Sequence, residues 1–430
     1  MTRATIWKRI LDGAGLAALV LGITATAPAE TWINVTQYPL PNGDEYPGSI
    51  VEGPDGALWF IVGTFYVGRI TTGGVIIQYS VRDCCGSDPG QITPGPDGAL
   101  WFTLSTGFLG AGTSAIGRIT TSGVPTAYEL PTGSTAEGIT AGPDGALWFT
   151  QSPASIGRIT TAGVITAEYS VPAGGQLLGI TAGPDGALWF TEYQGNQIGR
   201  ITTAGAITEY PVPTANSEPE AITPGPDGAL WFTEYGGNKV GRITTAGVIT
   251  EYPVLSANSA LTGIVTGPDG ALWFTEVYGG PERNGALGRI TTDGAITEYP
   301  ARNPGPIAAG PDGALWFTDY FGNKIERAPA CGLGFSASFA DGTLTMNFNL
   351  GIATPATWYA QARTSAGDKQ LWSRSIPATV PPGSFTLTWG PGFPDEGMMT
   401  IVSGLQAAPH QGLCYETATV NTAGAWPAGR

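Results

Sequence analysis

The octapeptide GPDGALWF occurs seven times in this chain, with tryptophans at Trp59, Trp101, Trp148, Trp189, Trp231, Trp273 and Trp316. Successive tryptophans are 42, 47, 41, 42, 42 and 43 residues apart. A fixed period near 40 residues that carries short strand-like runs is the signature of a β-propeller. The cleanest copy runs from Ala221 to Val254, AITPGPDGALWFTEYGGNKVGRITTAGVITEYPV. It holds four runs of strand-forming residues separated by three turn signals. Pro226-Asp227-Gly228 makes the first turn: proline presets φ, aspartate bonds the backbone ahead, and glycine accepts positive φ. Gly236-Gly237-Asn238 and Ala246-Gly247 mark the other two. Four antiparallel strands make one blade, so the chain is predicted to be all-β, a seven-bladed β-propeller with four-stranded blades.

The repeated Leu, Trp and Phe of the motif are expected to fill the space between stacked blades, because large apolar rings are worth most when buried. Seven arginines recur in the third run, from Arg69 to Arg327, and seven aspartates recur in the turn, from Asp55 to Asp312. Their regularity predicts repeated structural polar contacts rather than a basic ligand patch. The segment Thr36 to Pro41, TQYPLP, matches the fourth run of a unit but precedes the first complete one. The seventh unit ends after its third run at Arg327. Asn34 to Leu40 is therefore expected to pair with Lys324 to Arg327 and close the ring, which removes an exposed edge.

Residues 1–29 read as a secretory signal. Arg3, Lys8 and Arg9 precede an apolar run from Gly13 to Ala27, and Ala27-Pro28-Ala29 has the small-x-small pattern of a cleavage site. No later stretch is apolar for long enough to span a bilayer. The expected location is secreted or periplasmic, with no membrane contact after the signal is removed, and the expected state is a monomer. The whole chain carries a formal charge of −15. That balance excludes nucleic acid as a partner, because phosphate contacts need clustered Lys or Arg.

After Ala330 the repeat ends. The domains are therefore 30–330, the propeller, and 331–430, expected to be a small β-sandwich with runs at 343–350, 357–363, 385–389, 399–403 and 415–420. Cys331 and Cys414 bracket this region and are expected to form a disulfide in an exported protein. Cys84 and Cys85 are adjacent, and a vicinal disulfide or two thiols are both open. His410, the one histidine of the chain, lies outside the propeller.

Chain direction puts the residues before each first run and those after WFT on one face, around the central opening. There stand Glu192, Glu234, Glu276 and Asp319, followed by Tyr193, Tyr235, Tyr278 and Tyr320, with Glu137, Glu218 and Glu220 before first runs. Such a funnel of carboxylates and tyrosines suits a small-molecule or peptide ligand, or a hard cation, Mg²⁺ or alternatively Ca²⁺. The plain alternative is a set of solvated strand-end acids without a role.

The units GPDGALWFTE, GNKVGRITTAG and ITEYPVP closely resemble those of the virginiamycin B lyase (streptogramin lyase) family over about Val35 to Arg327. The resemblance implies a seven-bladed propeller that opens a cyclic depsipeptide antibiotic by carbon–oxygen elimination, with Mg²⁺ held by glutamates. The family stretch E-P-H-G-I reads here Glu218-Pro219-Glu220-Ala221-Ile222. The resemblance thus places metal-binding glutamates at Glu218 and Glu234, and Glu220 where the family has its general-base histidine. Glu192, Glu276, Asp319, Tyr193, Tyr235 and Tyr320 would line the ligand funnel. A lyase is one reading; a non-catalytic extracytoplasmic binding or interaction module is the other.

Overall fold

The structure is a computed structural model. It describes residues 35–41, 46–82, 88–105, 114–131, 133–172, 174–280 and 284–330, and beyond them the backbone of seven strands between 333 and 421. The predicted signal segment, Cys84, Cys85, Cys331 and His410 lie outside the described residues, as do residues 106–113.

Seven four-stranded antiparallel sheets form the repeat region, one per unit. Blade 5 is representative, with strands Pro219–Pro224, Leu230–Glu234, Lys239–Ile243 and Ile249–Pro253. Blade 7 takes its first three strands from Pro304–Ala309, Ala314–Asp319 and Lys324–Pro329. Its fourth is the N-terminal strand Thr36–Pro39, paired in the register Thr36 with Arg327 and Pro39 with Lys324. The ring is closed as the sequence predicts.

Along each second strand, alternate side chains serve different interfaces. Trp231 of blade 5 packs with Leu272 and Phe274 of blade 6, together with Val240, Val254, Leu261, Ile264 and Ile290. The same arrangement crosses the closure, where Trp316 meets Leu58 and Phe60. All seven motif tryptophans are fully buried. Each indole N–H needs a partner there, and the turn aspartate supplies it. Trp231 Nε1 donates to Asp227 Oδ1 at 3.0 Å, while Arg242 Nε donates to Asp227 Oδ2 at 2.6 Å. Every blade repeats the Arg–Asp pair, at 2.6 to 2.8 Å. The regular arginines and aspartates are thus structural, as expected from their spacing. Gly228 turns with φ +73°, a conformation that glycine adopts at no steric cost.

The first strand of every blade carries a register shift, in blade 5 between Pro219 and Ile222. A bulge re-aims the residues it contains; here it turns them toward the axis. The threonine after WF holds the bulge in place. Thr191 Oγ1 accepts from Gly179 N at 2.9 Å in its own blade and donates to Glu220 O in the next at 2.7 Å.

Beyond the propeller, strands at Leu333–Ala340, Thr343–Leu350 and Gly383–Trp389 form one sheet. Strands at Gln370–Val380, Thr354–Thr364, Met398–Ala407 and Leu413–Asn421 form another, in that order. The five anticipated runs are all strands. Leu333–Ala340 and Gln370–Val380 are additional. Pro377 argues against a strand on sequence grounds, but Gln370–Val380 is an edge, where proline is tolerated. The expected Cys331–Cys414 bridge involves a residue outside the described set.

Candidate functional site

At the centre, the seven first strands surround a channel of about 250 Å³. One isoleucine per blade walls it, and the seven are 5 to 8% exposed. Ser49, Gln91, Thr262 and Glu220 add polar groups to the wall. The blade 5 bulge sets Glu220 there. Burial, reinforced by the nearby Glu218 charge, pushes its carboxyl up to about 7. Glu137, its counterpart in blade 3, is also pushed up by burial.

Glu218 precedes the bulge with φ +53°, in the left-handed region. Tyr46, Ala260 and Asn303 stand at the matching place in blades 1, 6 and 7 and share that conformation, so it belongs to the loop design. Tyr235 N donates to Glu218 O at 3.1 Å and ties this loop to the hairpin of its own blade. The Glu218 carboxylate reaches sideways to blade 4, where Tyr193 Oη donates to Oε2 at 3.0 Å. Burial and then that hydrogen bond raise the Tyr193 hydroxyl to about 12. The Tyr193 and Tyr235 rings are 6.4 Å apart. Glu218, Glu220, Tyr193 and Tyr235 therefore form one cluster over the blade 4–blade 5 junction. On the far side of the opening, Tyr320 stacks on Tyr46 at 5.0 Å and meets Phe321 edge-on at 5.1 Å.

The acids after WFT are placed differently from the expectation. Glu192, Glu234, Glu276 and Asp319 are fully buried. They lie beneath the hairpins that join second and third strands rather than on the funnel wall. An added Cβ at Gly237 would approach Glu234 Oε2 to 2.4 Å, which shows how tightly the hairpin covers the acid. Strand alternation explains this. Glu234 shares a blade face with Phe232, and Phe232 pairs with Gly241, which pairs with Glu251. The carboxylate thus faces the outer strand. Burial, then Glu251, raises it to about 8 against the pull of Lys239. Lys239 Nζ itself is 2.7 Å from Glu251 Oε2. These outer-strand partners were missed from sequence, although the register of ITEYP against GRI and LWF carries the signal.

Mg²⁺ needs oxygens converging in near-octahedral geometry. Glu218 turns to Tyr193, whereas Glu234 turns to Lys239 and Glu251. Both Glu234 oxygens lack hydrogen-bond partners, but so do those of Glu192 and Glu276. Blades 4 and 6 have Gln176 and Ala260 where blade 5 has Glu218. The unpartnered state follows the repeat, not a two-glutamate centre. Among the described residues no three His, Cys, Asp or Glu side chains are grouped to hold a metal ion. Glu218 and Glu234 are the two acids of blade 5 that would hold Mg²⁺, with no third acid grouped with them among the described residues.

A family model, the virginiamycin B lyase family, matches residues 29–174 and 138–333. A streptogramin B lyase structure is 38% identical over 69% of this chain and 97% of its own, with TM-score 0.62. Virginiamycin B lyase from Staphylococcus aureus is 38% identical over 69% of this chain and 99% of its own, with TM-score 0.63. The chain belongs to the virginiamycin B lyase family. A further relative is a catalytically inactive histidine-to-alanine variant of the Staphylococcus aureus enzyme with quinupristin, 39% identical over 69% of this chain and 99% of its own, TM-score 0.62. No curated protein sequence matches. Residues 35–330 of this family member contain no histidine at all.

Proposed function

We propose that the protein is an exported ligand-binding propeller that takes a streptogramin-type cyclic depsipeptide, or a peptide of similar build, at its funnel without cleaving it. The missing histidine carries this reading. In the relative, replacing one histidine by alanine gives an inactive protein that still accompanies quinupristin. This chain has Glu220 where the family motif has its histidine, and its one histidine is His410. Ring faces of Tyr193, Tyr235 and Tyr320 offer apolar contact with polar tips, and Glu218 and Glu220 offer acceptors to amide and ammonium donors. The proposed ligand contacts are made by these side chains. Export, the 331–430 β-sandwich, its Cys331–Cys414 bridge and a monomeric state complete the proposal.

A second reading keeps the lyase. The Glu220 carboxyl sits at about 7, which suits a general base at neutral pH. One experiment separates the two. Quinupristin is incubated with the full chain with and without Mg²⁺, calorimetry measures binding and chromatography follows linearisation. Saturable binding without linearisation is expected. Mg²⁺-dependent linearisation that Glu220→Gln abolishes would establish the lyase instead.

A further inference from the structure

Blade 3 fills one buried position differently from blades 4 and 6. In blade 3 the residue after WFT is Gln151, 2% exposed. Its Nε2 donates to Glu168 Oε1 on the outer strand at 2.6 Å and to Ser155 Oγ at 2.9 Å. In blades 4 and 6 the same position holds Glu192 and Glu276, both 0% exposed. The outer-strand position is again an acid. Phe190 pairs with Gly199 and Gly199 with Glu209; Phe274 pairs with Gly288 and Gly288 with Glu298. Each of these two blades therefore sets two carboxyl groups where blade 3 sets an amide and a carboxyl.

A lysine does not neutralise either pair from the third strand. The residue paired with Glu192 is Gln197 and that paired with Glu276 is Ala286, whereas blade 5 has Lys239 there. Glu298 already accepts from Leu255 N, Ser256 N and Ser256 Oγ at 2.6, 2.9 and 2.6 Å. The oxygens of Glu192 and Glu276 have no partner. The Ser259 hydroxyl near Glu276 donates to Ser256 O at 3.0 Å instead. An ionised carboxylate without donors, buried beside another, is strongly disfavoured; a protonated one regains a donor.

We propose that Glu192 and Glu276 are resident carboxylic acids at neutral pH, each donating its proton to Glu209 or Glu298 as Gln151 donates to Glu168, and that these clasps open on alkalinisation. The titratable group facing Glu192 is Glu209; Glu276 faces Glu298, with Ser259 pulling slightly the other way. Burial, reinforced by the outer-strand acid, pushes both carboxyls up to about 8. Their unfolded value is about 4.3. The sign follows from linkage. Between these values the folded chain binds protons that the unfolded chain has lost. The contribution to stability is complete below about pH 4.3 and is lost as pH rises toward 8.

Thermal unfolding of the full chain from pH 5 to 9 tests this. The melting temperature is expected to fall as pH rises from 5 to 8. In the Glu192→Gln/Glu276→Gln variant the fall should be shallower, by up to about tenfold in the unfolding constant per pH unit for each group removed. Gln151→Glu should install a third clasp and steepen the dependence. A double variant with the original slope, or a Gln151→Glu variant with an unchanged one, overturns the proposal. So does recovery of the pH 8 melting temperature by Na⁺ or Ca²⁺, which would make the pairs cation sites.

Discussion

Tyr38 and Trp316 stack with ring centroids 5.5 Å apart and planes inclined by 15°. The same stacking joins outer and second strands in blades 1 to 6, where both partners come from one unit. Only in blade 7 does the tyrosine come from the other end of the repeat region. Tyr38 also lies against Gly74 of blade 1, so it touches both sides of the junction. Tyr38→Ala should lower stability by about 2–3 kcal/mol, below the cost for a fully buried ring because Tyr38 is half-buried. Thermal or urea unfolding checks it, and an unchanged midpoint would remove the closing strand from the account of stability.

Asp227→Ala leaves the buried Trp231 indole N–H and the Arg242 guanidinium without their shared acceptor. The expected loss is about 1–3 kcal/mol, that of an unsatisfied buried donor. Asp227→Asn should cost less, since its amide oxygen still accepts from Trp231. Equal losses in the two variants would show that the side-chain volume, not the hydrogen bond, matters.

Stability should pass through a maximum in mildly acid solution. Asp55, Asp97, Asp144, Asp185 and Asp227 titrate below their ordinary range: burial opposes this, but hydrogen bonds from the tryptophan and arginine outweigh it. Their contribution is present above the unfolded value near 3.9 and is lost as pH falls through the folded one. The buried glutamates lose theirs in the other direction, toward pH 8. Melting temperatures across pH 3 to 9 should therefore peak near pH 5, and a plateau from 5 to 8 would contradict the glutamate limb.

Ligand binding should depend on the upper cluster and not on the acids below it. Tyr193→Phe and Glu218→Ala each remove one hydrogen bond at the funnel and should weaken quinupristin roughly tenfold, within the range of a bond to a charged group. Glu276→Gln should leave affinity unchanged, because Glu276 is enclosed beneath its hairpin. Calorimetric titration of the three variants tests the division. Loss of binding in Glu276→Gln would bring the buried acids back into the ligand site.

The architecture was legible because each blade repeats the same local choices. Turn glycines, alternating strands and the LWF core all agree. The closure was legible too, since TQYPLP carries the spelling of a fourth strand. The placement of the acids was not. Chain direction says that Glu192, Glu234 and Glu276 come to the funnel end of their strands, but not which way their side chains leave. That is set by pairing two strands away, with Glu209, Glu251 and Glu298. Glu218 and Glu220 reach the opening by another route, because a bulge and a left-handed residue, not plain alternation, aim them.

The closing strand also fixes where anything joined to the propeller must depart. Thr36 lies beside Arg327, and Pro329 lies beside Ala314, just past the turn of its motif. The chain therefore enters and leaves the ring at one edge of blade 7, on the side of the seven GPDG turns. Glu218, Tyr193 and Tyr320 are on the other side. A tether or a further domain at either end would hold the ring from behind, with its mouth facing outward.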